Sequence, residues 1–184
     1  VSTRRITVDE YERIGESGAV DEPERVELID GYMVRKMSKS PGHCYATAKA
    51  LGALTGLVGP GWLPSKEGPV RIPAYDEPEP DISVVRGSIE DYRHRHPGPT
   101  EVGLVVEVSV TTLDLDRGQK LSAYATANIP VYWIVNLVEG QIEVYIGPVP
   151  GAYRSRTDYK PGQAVPVVID GLSLGDIAVA DILP

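Results

Sequence analysis

The chain of 184 residues carries 18 Lys and Arg against 26 Asp and Glu, a formal charge of −8 with its 3 histidines neutral. Hydrophobic residues at 42% and charged residues at 24% exclude a disordered or fibrous class, and the length suits one domain, 1–184, around a single core. The acidic balance argues against a general nucleic-acid coat protein that works by neutralising phosphates. The lone Cys44 leaves no disulfide framework and no cysteine-based zinc cluster, and reads as a buried or idle thiol. No apolar run approaches the ~20 residues needed to cross a bilayer. The opening Val1-Ser2-Thr3-Arg4-Arg5 has no apolar stretch behind it, so a cytoplasmic protein is expected.

Thr7-Val8-Asp9-Glu10 is a capping box, which predicts a short helix ending near Gly15 to Gly18. Residues 26–29 and 32–37 then form a hairpin around Asp30-Gly31. Tyr45, Ala48, Leu51, Leu54 and Val58 recur at helical spacing over residues 41–58, with Ala46, Ala50 and Ala53 in support, and Gly59-Pro60-Gly61 stops the helix. Residues 62–72 are extended and irregular, and a Pro- and acid-rich loop over 73–80 delivers the chain into a strand at 81–85. Residues 88–100 are polar and punctuated by Pro and Gly, and predict a short helix with a loop. The β-branched run 104–110 is a central strand. A helix over 116–127 has Leu121, Tyr124 and Ala125 on its apolar side and ends at Asn128-Ile129-Pro130. Strands at 131–135 and 141–146 join through Glu139-Gly140. Residues 153–157 and 165–169 read as edge strands, and 172–183 as a partly helical tail. The strand–helix–strand passage from 104 to 131 suits a crossover between parallel strands, with hairpins on either side. The expected fold is therefore α/β: a mixed sheet flanked by helices, with additional N-terminal and C-terminal strands.

The chemistry centres on two carboxylates, Asp81 and Glu107, each set in an apolar, β-branched strand where desolvation is costly unless a cation waits for it. Side chains alternate along a strand, so Asp81, Ser83 and Val85 share one face, and Val105, Glu107 and Ser109 another. On adjacent strands the two acids converge on one ion. Mg²⁺ takes hard oxygen ligands and keeps several waters, so two carboxylates and a backbone carbonyl form a reasonable protein share. The bland reading of the same spacing is edge exposure or a salt bridge. On the following helix Asp116, Lys120 and Tyr124 stand at i, i+4 and i+8, which lays Lys120 across the carboxylates.

These residues resemble a family. Pro80-Asp81 followed by Glu107-Val108-Ser109 is similar to the PD-(D/E)XK nuclease signature with its final lysine replaced by Ser109. Within that superfamily the chain resembles the Uma-two group of restriction endonucleases, whose members carry a lysine on the next helix instead. The matching blocks include Glu27-Leu28-Ile29-Asp30-Gly31, Ser40-Pro41-Gly42-His43, Pro80 to Val85, Val105 to Ser109, and Ile129-Pro130-Val131-Tyr132-Trp133. The resemblance implies a restriction-endonuclease-like fold and hydrolysis of DNA phosphodiesters with Mg²⁺ or Mn²⁺. It implies Asp81, Glu107 and the Val108 carbonyl as metal ligands, Lys120 as the relocated catalytic lysine, and Glu27 as an auxiliary acid. His43, Gln119 and Ser109 are candidate substrate contacts. The loop around His94-Arg95-His96, with Arg86 and Arg93, is an exposed basic segment able to meet a nucleic-acid backbone. Tyr132 and Trp133 belong to the core. A homodimer is expected, since symmetric pairs are the commonest oligomers and duplex cleavage needs two sites. Two readings stand beside this one: a nucleic-acid-binding or regulatory module that does not cleave, and a metal-dependent hydrolase of a small phosphorylated substrate.

Overall fold

The computed structural model describes residues 4–19, 22 and 25–184. Residues 1–3, part of the opening read above for a leader, lie outside them. Helix α1 (Val8–Glu16) starts as expected: Thr7 accepts the Glu10 amide while the Glu10 carboxylate accepts the Thr7 amide. Strands β1 (Val26–Ile29) and β2 (Tyr32–Arg35) form the hairpin. Its turn residues Asp30 and Gly31 both have positive φ, as a type I′ turn demands, and a Cβ on Gly31 would lie 2.6 Å from Arg5 Cβ. Helix α2 (Pro41–Leu57) follows. It buries Ala46, Thr47, Ala50 and Leu54, whereas Tyr45 and Ala48 face solvent, so the sequence reading set the apolar stripe about one residue off. Cys44 is likewise exposed rather than buried.

The central sheet has six strands in the order β3 (Trp62–Lys66), β4 (Ile82–Arg86), β5 (Val102–Ser109), β6 (Val131–Asn136), β7 (Gln141–Val149) and β8 (Ala152–Tyr159). β5 and β6 run parallel and the other neighbours antiparallel. The crossover between β5 and β6 is helical from residue 113: α3 (Leu113–Leu115), a π turn (Asp116–Lys120) and α4 (Leu121–Thr126). Asn128 at positive φ ends it. The C-terminal region departs from the expectation. Residues 172–183 are mostly strand, because β9 (Ala164–Ile169) pairs with β10 (Leu172–Ala178) in a separate hairpin before the short α5 (Val179–Ile182). The alternation in this tail is broken where the pairing shifts between Ser173 and Gly175, which hides the period from the sequence. Among the described residues no helix is long and apolar enough to cross a membrane.

Each face of the sheet has its own core. Val84, Val106 and Trp133 cluster with α2, the β9–β10 hairpin and α5. Val85, Val105, Tyr132 and Ile134 cluster on the opposite face with Tyr124 and Ile129 from the crossover and with Val70 and Ile72 from the loop before β4. Tyr132 and Trp133 are both fully buried, as read from the sequence. Two positions make the packing testable. A Cβ on Gly103 would fall 2.8 Å from Ile169 Cγ2 and 2.8 Å from Trp62 Cζ3, with no room to relax inside a closed core. Gly103→Ala should cost about 1–3 kcal/mol, read as a lower urea midpoint at unchanged slope.

Glu77, whose backbone bridges to Leu28, is the second. Burial, the Glu12 charge and a hydrogen bond with Glu12 push its carboxyl up to about 7 against the opposing pull of Arg71. The folded state therefore holds this proton more tightly than the unfolded chain, whose value is near 4.5. Its stabilising contribution is complete below about pH 4.5 and is lost as pH rises through about 7. Glu77→Gln should match the wild type in thermal melts at pH 4.5 and exceed it at pH 8 by about 2–3 kcal/mol.

Candidate active site

The pairing of β4 with β5 sets Ile82 opposite Val106 and Ser83 opposite Val105, so the register carried one pair further places Asp81 opposite Glu107. Asp81 Oδ2 accepts the Val108 N–H at 2.8 Å, which fixes the carboxylate at the strand entrance. The two acids are 7% and 4% exposed. The crossover folds Lys120 and Tyr124 back over β5: Lys120 Nζ lies 2.9 Å from Glu107 Oε1, and the Tyr124 hydroxyl donates to the same oxygen at 2.7 Å. The hairpin brings Glu27, whose Oε2 is 3.1 Å from Lys120 Nζ and also accepts the Glu79 N–H. One buried ammonium thus bridges an acid from β1 and an acid from β5.

The start of α2 supplies the fourth side of the cleft. Ser40 caps the helix by accepting the His43 N–H, and His43 Nε2 sits 3.1 Å from Asp81 Oδ2. Lys39, just before the cap, reaches Asp81 Oδ1 at 3.2 Å and Glu67 Oε1 at 3.0 Å. Glu27, Lys39, His43, Asp81, Glu107 and Lys120 line a cleft of about 150 Å³. The π turn lodges both Asp116 and Lys120 on the buried side, where Asp116 Oδ2 accepts the hydroxyls of Ser109 and Thr112 at 2.6 and 2.7 Å. Such turns recur at functional sites because the widened ring re-aims side chains.

Electrostatically the cluster holds more acid than base. Burial raises the Glu107 carboxyl well above its usual range, opposed by Lys120 and reinforced by Asp116, Asp81 and Glu27. Burial works against the Lys120 ammonium, but Glu107, Glu27 and Asp116 outweigh it and push the amine above its ordinary value. Burial leads the Glu107 shift and opposes the Lys120 shift, while the neighbouring carboxylates raise both. Asp81 differs. Its burial is offset by the His43 hydrogen bond and charge, the Val108 N–H and Lys39, which hold it below the ordinary carboxylate value.

Of the residues picked out from the sequence, Asp81, Glu107, Lys120, Glu27, Val108 and His43 line this one cleft. Ser109 does not reach it as a substrate contact: it is fully buried and its hydroxyl is committed to Asp116. Gln119 is exposed and lies outside the cleft lining, because the π turn rotates Lys120 inward and leaves its neighbour outside. The basic loop is also spoken for. Arg95 pairs with Glu101, Arg93 with Glu90, and Arg86 with Asp170 while stacking on Trp62. Lys39 and Glu67 went unseen; the signal for Lys39 was a cation directly ahead of a Ser-Pro helix start.

The donor set suits a hard divalent cation. Glu107 Oε1 takes both of its hydrogen bonds, and Oε2 receives none from a described residue although Glu107 lines the cleft. A carboxylate oxygen of this kind is a hard donor, the type a small divalent cation takes when it keeps most of its waters and needs few protein oxygens. Among the described residues no three Asp, Glu, His or Cys groups form a ready cage.

The mixed sheet flanked by helices defines an α/β protein of restriction-endonuclease-like architecture. A solved structure from Anabaena variabilis ATCC 29413, described as "a putative nuclease belonging to DUF820", superposes with a TM-score of 0.69 at 17% identity over 96% of this chain and 97% of that one. The family model "Uma2: Putative restriction endonuclease" matches residues 8–180, and the chain belongs to that family. No curated protein matches it.

Removing the bridging ammonium leaves Glu27 and Glu107 buried and uncompensated, a change that costs about 3–5 kcal/mol in such settings. Lys120→Ala should lower stability by that order at pH 8, measured by urea unfolding, and the deficit should shrink at pH 5 as Glu107, whose carboxyl is already raised, takes up a proton.

Proposed function

We propose that the protein is a divalent-metal-dependent nuclease that hydrolyses phosphodiester bonds in DNA, in the cytoplasm and as a symmetric pair of chains. The observation that carries this reading is the placement of Asp81 opposite Glu107 with Lys120 2.9 Å from the latter. Asp81, Glu107 and the Val108 carbonyl would hold Mg²⁺ or Mn²⁺, which when bound activates water and offsets charge on a phosphoryl oxygen. The remaining steps belong to the chain. Lys120 stays an ammonium in its acidic surroundings, so it donates to the attacking water or to the pentavalent phosphorus group rather than accepting a proton. Glu27 fixes the position of Lys120 across the cleft, and Tyr124 holds the other side of Glu107. His43 and Lys39 steady Asp81 and stand at the cleft wall, where they meet a phosphate oxygen as it enters. Attack on phosphorus then leaves a 5′-phosphate and a 3′-hydroxyl.

A second reading, hydrolysis of a small phosphorylated substrate, draws support from the modest cleft volume and the prior pairing of Arg86, Arg93 and Arg95. One experiment addresses both. Plasmid, single-stranded DNA and a panel of phosphorylated small molecules are incubated with Mg²⁺ or Mn²⁺ and wild type, Asp81→Asn or Lys120→Met protein. Cleavage of DNA by the wild type, falling at least about a hundredfold in both variants, is expected. Equal DNA cleavage by all three proteins would overturn the assignment, and turnover of small substrates alone would establish the second reading.

A further inference from the structure

A second cavity, of about 90 Å³, opens between β3, β4 and the polar loop at residues 89–97. Ser65 and Ser83 are cross-strand partners on its floor. Ser83 is 1% exposed, and its hydroxyl finds no hydrogen-bond partner among the described residues. A buried hydroxyl without a partner is a disfavoured arrangement that a ligand group would satisfy. The walls are of another kind: Leu63 and Pro69 are apolar, Tyr92 adds a ring with Arg95 over one of its faces, and His96 stands exposed at the rim. Apolar walls with a few convergent polar groups are the composition of a small-molecule site. Size then limits the occupant. An engineered cavity of about 150 Å³ accepts benzene, so this smaller pocket encloses at most one six-membered ring and has no space to enclose a fused bicycle.

Position links this pocket to the cleft. Asp81, Ser83 and Val85 alternate onto one face, so Ser83 lies about 7 Å along the strand from Asp81. We propose that this pocket receives a single pyrimidine base, its polar edge on Ser83 and Ser65 and its ring against Tyr92, and so selects the nucleotide presented beside the cleft. A hydroxyl can donate or accept, which accommodates both the amino edge of cytosine and the carbonyl edge of thymine. A base enters such a pocket only when unstacked, which favours single-stranded or locally opened substrate. The selective role rests on the nuclease reading; base binding itself does not.

The test is a titration of ¹⁵N-labelled protein with cytidine, thymidine and adenosine to millimolar concentration, without divalent cation, followed by amide shifts. Saturable shifts at residues 63–69, 83–85 and 92–97 are expected, with adenosine at least about fivefold weaker than either pyrimidine. Ser83→Ala and the exposed His96→Ala should each weaken pyrimidine binding about fivefold, while Asp81→Asn leaves it unchanged. Absence of localised shifts, equal binding of purine and pyrimidine, or indifference to both substitutions would overturn the proposal and leave a solvent-filled gap. DNA cleavage without nucleoside binding would remove the pocket's role alone. Nucleoside binding without cleavage would remove the nuclease reading and keep the base site.

Discussion

The ammonium of Lys120, enclosed between Glu27 and Glu107, is the interaction on which the arrangement of this molecule turns. Three elements distant in sequence meet there: the N-terminal hairpin, the central strand β5 and the crossover helix. Bringing these charges out of water is expensive, and an isolated pair rarely recovers the whole cost from mutual attraction alone. Here the Tyr124 hydroxyl and the Glu79 N–H add hydrogen bonds to Glu107 and Glu27, so the cluster is tightly specified in geometry while remaining over-supplied with acid.

The paired acids were legible because a strand alternates. Once Asp81 and Glu107 stood in β-branched runs, antiparallel adjacency was enough to place them on one face, and the register does so. Lys120 was legible from helical spacing, although the route is a π turn rather than a regular α-helix. Gln119 was drawn into the site because it neighbours Lys120, yet adjacent positions of a helical turn face different ways and it is exposed outside the cleft. Ser109 misled for a related reason. Its slot corresponds to the signature lysine, yet in this chain it supports Asp116 from behind. The strand β10 escaped notice because its pairing slips near Gly175, breaking the period-two pattern. Contacts such as Lys39 to Asp81 depend on how α2 is docked against the sheet, and no local sequence rule encodes that.

The apparent basic loop teaches a similar lesson about charge. Arg86, Arg93 and Arg95 look in sequence like a surface for phosphates, but each already has a carboxylate partner. A polyanion approaching that side would have to displace those acids, so electrostatic attraction there is weak. Lys39 and Lys120, which line the cleft, are likewise paired, the first with Asp81 and Glu67 and the second with Glu27 and Glu107.

The two outer strands of the central sheet have a bearing on how copies of this chain can meet. β8 carries Arg154, Arg156 and Asp158 along its exposed length, and β3 places Pro64 and Lys66 on the opposite border. Charge on one border and a residue without an amide hydrogen on the other are the devices by which natural sheets refuse to grow by adding a neighbouring strand. Continuous sheet extension across two molecules is thereby discouraged at both ends, and any lasting association must be built from side chains on helices, loops or the small hairpins.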